Sequence, residues 1–248
     1  MIEDYARTII ICAAAIVAGI IMGCGAVYIF NKIPGKWLCD YGKEPDEELL
    51  HPTRQRINSV PWKYWFSCFF VMAGIYLGLK DPVYGIIALM TCWLLCEMAI
   101  ADIKYRIVPD QFIILLMVAA VGFVPHHNGG VFQGIWGGLI GFGVMLIIGI
   151  LGRLIYKKES LGGGDIKLFG ALGLCLGTEG ILTVFVISTF VSAFHLGFLM
   201  IRKRIKPREQ RPLVPYIAIS SAIYLVILHQ MSYNIMAVSY THLRAHET

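Results

Sequence analysis

Charge is scarce in this chain. Of its 248 residues, 15% are charged and 57% are hydrophobic, with a mean hydropathy of +0.69. Soluble domains carry about 25% charged residues, so a soluble globular fold is excluded. Paired cysteines are absent as well. The seven cysteines include no CxxC pair, which leaves neither a zinc knuckle nor a disulfide framework. Six of them lie in apolar runs, where Cys acts as a small hydrophobe, and Cys39 alone lies in a polar loop. Cys92 and Cys96 are one helical turn apart and read as packing residues. No cleavable secretory signal is evident, because the apolar run 8–30 is too long and has no strong basic region before it. That run is read as the first membrane helix. Only 31–61 is a sizeable polar piece, and it is too short to bury a core of its own. It is expected to pack on the mouth of the membrane part. No metal, cofactor or nucleic acid is expected.

What remains is apolar and periodic in its interruptions. Eight candidate spans are predicted, at 8–30, 62–79, 83–101, 111–124, 132–152, 166–177, 180–201 and 213–231. The fold class is therefore an all-α polytopic membrane bundle. The fourth and sixth spans are short for a hydrocarbon core of ~30 Å. Short spans are tolerated where they line a wet cavity. Basic residues set the orientation. One set of alternate loops holds Lys32, Lys36, Lys43, Arg54, Arg56 and Lys63, then Lys104 and Arg106. It continues with Arg153, Lys157, Lys158 and Lys167, and ends with Arg202, Lys203, Arg204, Lys206, Arg208 and Arg211. Only Arg7, Lys80 and Arg244 fall on the other side. Both termini are thus expected outside, and the basic loops in the cytoplasm. The stretch 237–248 is polar and patternless, and reads as a non-native tail.

Two aspartates stand at the edges of these runs, on the cytoplasmic side. Asp102 lies in Ala101-Asp102-Ile103-Lys104-Tyr105-Arg106-Ile107-Val108-Pro109-Asp110, and Asp165 in Gly162-Gly163-Gly164-Asp165-Ile166-Lys167-Leu168. Each has an ordinary explanation. Asp102 could be an interfacial acid neutralised by Lys104 or Arg106. Asp165 could be a helix N-cap, and Pro109-Asp110 a helix start. Together they put two carboxylates at one depth on one face, each beside a short span. Such a pair can share a proton and activate water. His126 and His127 fall in a loop on the opposite face, away from that chemistry.

The combination of Asp-x6-Pro-Asp with a later Gly-x-Gly-Asp-x-Lys-Leu resembles the type IV prepilin peptidase family, membrane aspartic proteases of the GxGD type. The matching residues are Asp102, Pro109 and Asp110, then Gly162, Gly164, Asp165, Lys167 and Leu168. Ala171-Leu172-Gly173 and the late Pro212-Leu213-Val214-Pro215-Tyr216 also look like the family, and Asn31-Lys32-Ile33-Pro34 more weakly. The resemblance implies that Asp102 and Asp165 are the catalytic pair. Pro109, Asp110, Gly162, Gly163, Gly164 and Lys167 are expected to support the site or contact substrate. Asp110 should cap the fourth span or brace the pair, and Lys167 should anchor the interface or touch substrate. Gly162 and Gly164 would leave room for an extended substrate backbone beside Asp165.

The resemblance further implies cleavage after a Gly that ends a short basic leader, ahead of an apolar helix, at the cytoplasmic membrane surface. The partners implied are prepilins or pseudopilins of pili, competence or secretion systems, and the lipid bilayer of the inner membrane. Members with a cytoplasmic cysteine quartet in the first loop also methylate the new N-terminus. Here that loop holds only Cys39, and no Gly-rich nucleotide loop is present, so neither zinc nor methylation is expected. The domain division expected is 1–30 as first helix, 31–61 as cytoplasmic loop and 62–236 as the membrane peptidase domain. Two other readings stand beside it. A presenilin-like intramembrane protease disagrees with the Pro-Asp after Asp102. A proton-coupled transporter would want mid-bilayer acids and inverted repeats.

Overall fold

The computed structural model describes residues 2–39, 49, 55–157, 161–202 and 211–229. Among them the regular structure is helical, without strands. The helices are α1 (Ile2–Lys32), α2 (Trp62–Lys80), α3 (Pro82–Tyr105), α4 (Asp110–Phe123), α5 (Gly130–Tyr156), α6 (Gly163–Ile201) and α7 (Val214–Ile223). A π-helical turn, Tyr224–Leu228, prolongs α7. Four of these, α1, α3, α5 and α6, are long and apolar enough to cross a membrane, while α4 and α7 are shorter apolar helices. Phe132, Phe190 and Phe194 are 74%, 72% and 82% exposed, as expected where lipid rather than water is the solvent. The protein is a multi-pass helical membrane bundle. The 237–248 tail lies outside the described residues.

Successive helices run antiparallel. A Cβ on Gly23 would meet the Ser67 backbone, and one on Gly78 would lie 3.0 Å from Ile11 Cγ2, so α2 returns along α1. Asp81 starts α3 at once. Its Oδ1 accepts from the Val83 and Tyr84 amides at 3.0 and 3.1 Å, a side-chain N-cap followed by Pro82 at the first helical position. α7 lies antiparallel to α3. The Val214 amide meets Asp102 at one end, and the Tyr84 hydroxyl donates to the Leu225 carbonyl at the other. α5 and the start of α6 touch backbone to backbone. A Cβ on Gly137 would run into the Gly173 carbonyl oxygen, the kind of small-residue contact that replaces the hydrophobic drive inside a bilayer.

The eight apolar runs are carried by seven helices because the sixth and seventh are two arms of α6. Gly177 breaks it, at φ 69° and ψ −175°. Phe169 and Phe185 lie on either side of this break, with ring centroids 6.3 Å apart. In a straight helix their sixteen-residue separation would span ~24 Å. α6 therefore folds back on itself, and both its ends reach the same face. That backbone region is essentially closed to residues with a Cβ. The sixth run thus begins and ends on opposite faces without a connecting loop.

Asp102 and Asp165 lie at one face, and His126 and His127 at the other. His127 Nε2 donates to the Cys175 carbonyl near the Gly177 turn, at 3.0 Å. His126 Nδ1 lies 3.6 Å from Asp81 Oδ2, and the Tyr84 ring stacks on His229 at 4.4 Å. These contacts tie the far ends of α3, α4 and α7 together. The buried interior between the faces holds Leu95, Met98, Leu116, Leu168 and Leu172. At the near face, part of the first loop packs on the bundle: Trp37 meets the Phe112 ring edge-on at 6.3 Å, and Leu38 is buried. Residues 40–48 and 50–54 of that loop lie outside the described residues.

Gly177→Ala should lower stability by about 1–3 kcal/mol, the usual cost of a strained backbone conformation. Gly143→Ala, whose new methyl meets nothing within 4 Å, should not. Thermal unfolding of the two variants in detergent checks this. Equal melting of Gly177→Ala and wild type would contradict the reversal.

Candidate active site

Asp102 sits in the last turn of α3. The helix ends at Arg106, which adopts the left-handed conformation (φ 55°) and returns its amide to the Asp102 carbonyl at 3.0 Å. Val108 precedes a proline and so is kept out of the helical region. Pro109 then opens α4 at φ −65°. Asp102 is only 7% exposed. Its Oδ2 accepts from the Val214 amide at 2.9 Å. That amide belongs to the first turn of α7, where no intrahelical acceptor exists. The carboxylate and the positive end of α7 therefore satisfy each other. The sequence reading missed this partner, although a helix start framed by Pro212 and Pro215 leaves few amides to point anywhere else.

Asp165 comes from the other motif. The last two glycines of the run are already helical. Gly162 is the extended N-cap residue at φ −70° and ψ 142°, and α6 begins at Gly163. Asp165 is thus the third helical residue rather than the cap, with its amide on the Gly162 carbonyl at 3.1 Å. Its side chain folds back over the helix start. A Cβ on Gly162 would lie 3.4 Å from Asp165 Oδ2. Asp165 is half-buried and close enough to Asp102 for the two charges to act on each other. The structure thus brings the two aspartates together at one face.

The three glycines differ in their surroundings. A Cβ on Gly163 would meet nothing within 4 Å. One on Gly164 would fall 2.9 Å from Val108 Cβ, so the start of α6 lies directly on the link between α3 and α4. The space beside Gly164 that the sequence reading kept for substrate is filled by Val108. Open space next to the carboxylate lies at Gly162 and Gly163 instead.

Asp110 and Lys167 meet each other. Asp110 is the first residue of α4, and the N-terminus of that helix has no side-chain cap. Its two oxygens each lie 3.0 Å from Lys167 Nζ. The two motifs are therefore joined by an ion pair as well as by packing. Its side chains are 44% and 55% exposed, so it contributes only ~0–1 kcal/mol. The packing of Gly164 on Val108 decides the spacing, and the ion pair sets the register.

A further carboxyl escaped the sequence reading. Glu97 is fully buried in α3, and neither of its oxygens has a hydrogen-bond partner. It lies outside the aspartate pair. Among the described residues, no group of three or more His, Cys, Asp or Glu side chains could hold a metal ion.

Fold and site together define a multi-pass helical membrane protein with a paired-aspartate centre at one face. The profile of the type IV leader peptidase family matches residues 88–197, a segment that holds both aspartates. Curated relatives named prepilin leader peptidase/N-methyltransferase match over much of the chain. The Bacillus subtilis (strain 168) protein is 26% identical over 157 residues, 62% of this chain and 60% of the relative. That of Aeromonas salmonicida (strain A449) is 29% identical over 153 residues, 58% and 50% of the two chains. That of Xanthomonas campestris pv. campestris is 31% identical over 138 residues, 55% and 47%. The chain thus spans roughly half to three-fifths of the length of these relatives. No solved structure matches it significantly.

Gly164→Ala should cost about 1–3 kcal/mol, as overpacking does, and Val108→Ala in the same chain should restore most of it. Lys167→Met should cost less than about 1 kcal/mol. Melting curves of the three variants check the order. If Lys167→Met is the more damaging, the ion pair rather than the packing holds the motifs together.

Proposed function

We propose that the protein is a membrane aspartic endopeptidase that removes the leader of type IV prepilin-like proteins. The observation that supports this reading is the packing of the two aspartate motifs at one face of the bundle, Gly164 against Val108 and Lys167 paired with Asp110. The match of residues 88–197 to the leader peptidase family supports it. The relatives' names supply the substrate class.

The chemistry follows from two carboxyls in one half-buried site. Like charges at close range disfavour double ionisation, so the pair holds a single proton. A water between them loses a proton to the ionised carboxylate while its oxygen attacks the scissile carbonyl carbon. The protonated partner donates to the carbonyl oxygen. Collapse of the tetrahedral intermediate breaks the C–N bond, and a proton passes to the leaving amine. The Val214 amide holds one oxygen of Asp102, which fixes the orientation of that carboxylate during proton transfer. Gly162 and Gly163 leave the approach to Asp165 free for an extended substrate backbone. Lys167 and Asp110 brace the two motifs.

The active face is cytoplasmic in this reading, and the membrane is the inner membrane. In the sequence, eighteen of the 21 basic residues fall in the alternate inter-span segments that also hold the two aspartate motifs, which is the orientation that positive loops favour. The substrate is then a short basic leader ending in Gly, presented at the cytoplasmic surface ahead of an apolar helix.

Asp102→Asn and Asp165→Asn should each abolish cleavage of a prepilin by the purified protein in detergent, with folding retained. Asp110→Asn should keep substantial activity. Mass spectrometry of the product, with S-adenosylmethionine present, should show a free rather than an N-methylated amine, because the first loop offers one cysteine where a thiolate zinc site needs four ligands. Turnover by either of the first two variants would refute the paired-aspartate mechanism. No cleavage by wild type under any condition would favour the transporter reading.

A further inference from the structure

Beside the aspartates lies a second, apolar feature. A slot of about 520 Å³ runs between α2, α3 and α7. That volume is within the ~300–1,000 Å³ range of ligand sites. Its α3 wall extends from Cys92 to Lys104, ~18 Å at the helical rise per residue. The deep end is formed by Phe70, Cys92 and Ala222. The mouth, at the face of the aspartates, is edged by Arg56, Asn58 and Lys104. Trp62 and Ile103 along its side are 49% and 60% exposed, so the slot opens laterally, toward lipid.

Among the described residues that line the mouth, the charges are of one sign. Arg56 is buried, and its Nη1 donates to the Phe30 and Ile33 carbonyls at 3.3 and 2.6 Å. Lys104 Nζ donates to the Arg56 carbonyl. Among the described residues neither cation meets a carboxylate. The carbonyls at the end of α1 offset about half an elementary charge, against two full positive charges. A narrow apolar slot with a cationic mouth at headgroup depth matches one kind of molecule.

We propose that this slot is a binding site for an anionic phospholipid, one acyl chain lying between α2, α3 and α7 and the phosphate facing Lys104 and Arg56. Charge decides against the apolar helix of a substrate as occupant, because the leader attached to it is basic and would meet these cations. Pro215 belongs to the wall of the slot and follows Val214, whose amide holds Asp102. A bound chain therefore packs against the first turn of α7 and supports the helix start that orients the aspartate.

The test uses the purified full-length protein and does not depend on its peptidase activity. Native mass spectrometry compares retention of phosphatidylglycerol with that of phosphatidylcholine. Phosphatidylglycerol should be held at least about five-fold more strongly, the equivalent of ~1 kcal/mol for one basic residue near a lipid phosphate. Lys104→Gln should reduce that preference about five-fold. Ala99→Phe, which fills the slot, should reduce retention of both lipids. Equal retention of the two lipids would overturn the proposal. So would phosphatidylglycerol retention that neither variant changes, or an apolar helical peptide displacing the lipid from wild type but not from Ala99→Phe.

Discussion

Val108 occupies the place where a side chain at position 164 would begin, and this contact sets how closely the start of α6 approaches the link between α3 and α4. Asp102 lies one turn before that link and Asp165 immediately after the contact. Any residue with a Cβ at 164 would push the two carboxyls apart. The Lys167–Asp110 pair lies on the same seam, but exposed ion pairs are too weak to hold it alone. Steric fit between a glycine and a valine is thus the constraint on which the paired carboxyls depend.

The rest of the fold serves that seam. The reversal at Gly177 lets α6 leave the aspartate face and return to it within one helix. The glycine contact between α5 and α6 brings the first arm of α6 close enough to reach α3 and α4. α7 closes the third side, with its first amide on Asp102. On its outer flank the same turn of α7 borders the apolar slot with Arg56 and Lys104 at its mouth. One carboxylate therefore feels a helix terminus on one side and a second carboxylate on the other.

Much of this was legible in the sequence, because membrane solvent leaves strong signals. Apolar runs had to be helices, since a bilayer satisfies no exposed backbone. The two aspartates stood out because carboxyls near hydrocarbon are costly. What could not be read were contacts that need side-chain positions. The filling of the Gly164 space by Val108 was one, since a glycine beside an aspartate reads equally as groove or as packing. The pairing of Lys167 with Asp110 was another, because residues in separate loops show no period. The Val214 amide escaped because main-chain donors carry no sequence mark beyond the prolines around them. Glu97 escaped because it lies inside an apolar run whose average hides a single acid.

The most direct measurement of this account is a cross-link across the seam. Val108→Cys and Gly164→Cys, placed together in a chain whose native cysteines are replaced, would be oxidised in native membranes beside a control pair at Gly19 and Val71 in the α1–α2 contact. Rapid disulfide formation by the 108–164 pair is the predicted result, since the two Cβ positions lie 2.9 Å apart and need separate by only about 1 Å to reach the ~3.5–4.5 Å of a disulfide. A pair that stays reduced while the control closes would contradict the claim that the two aspartate motifs meet.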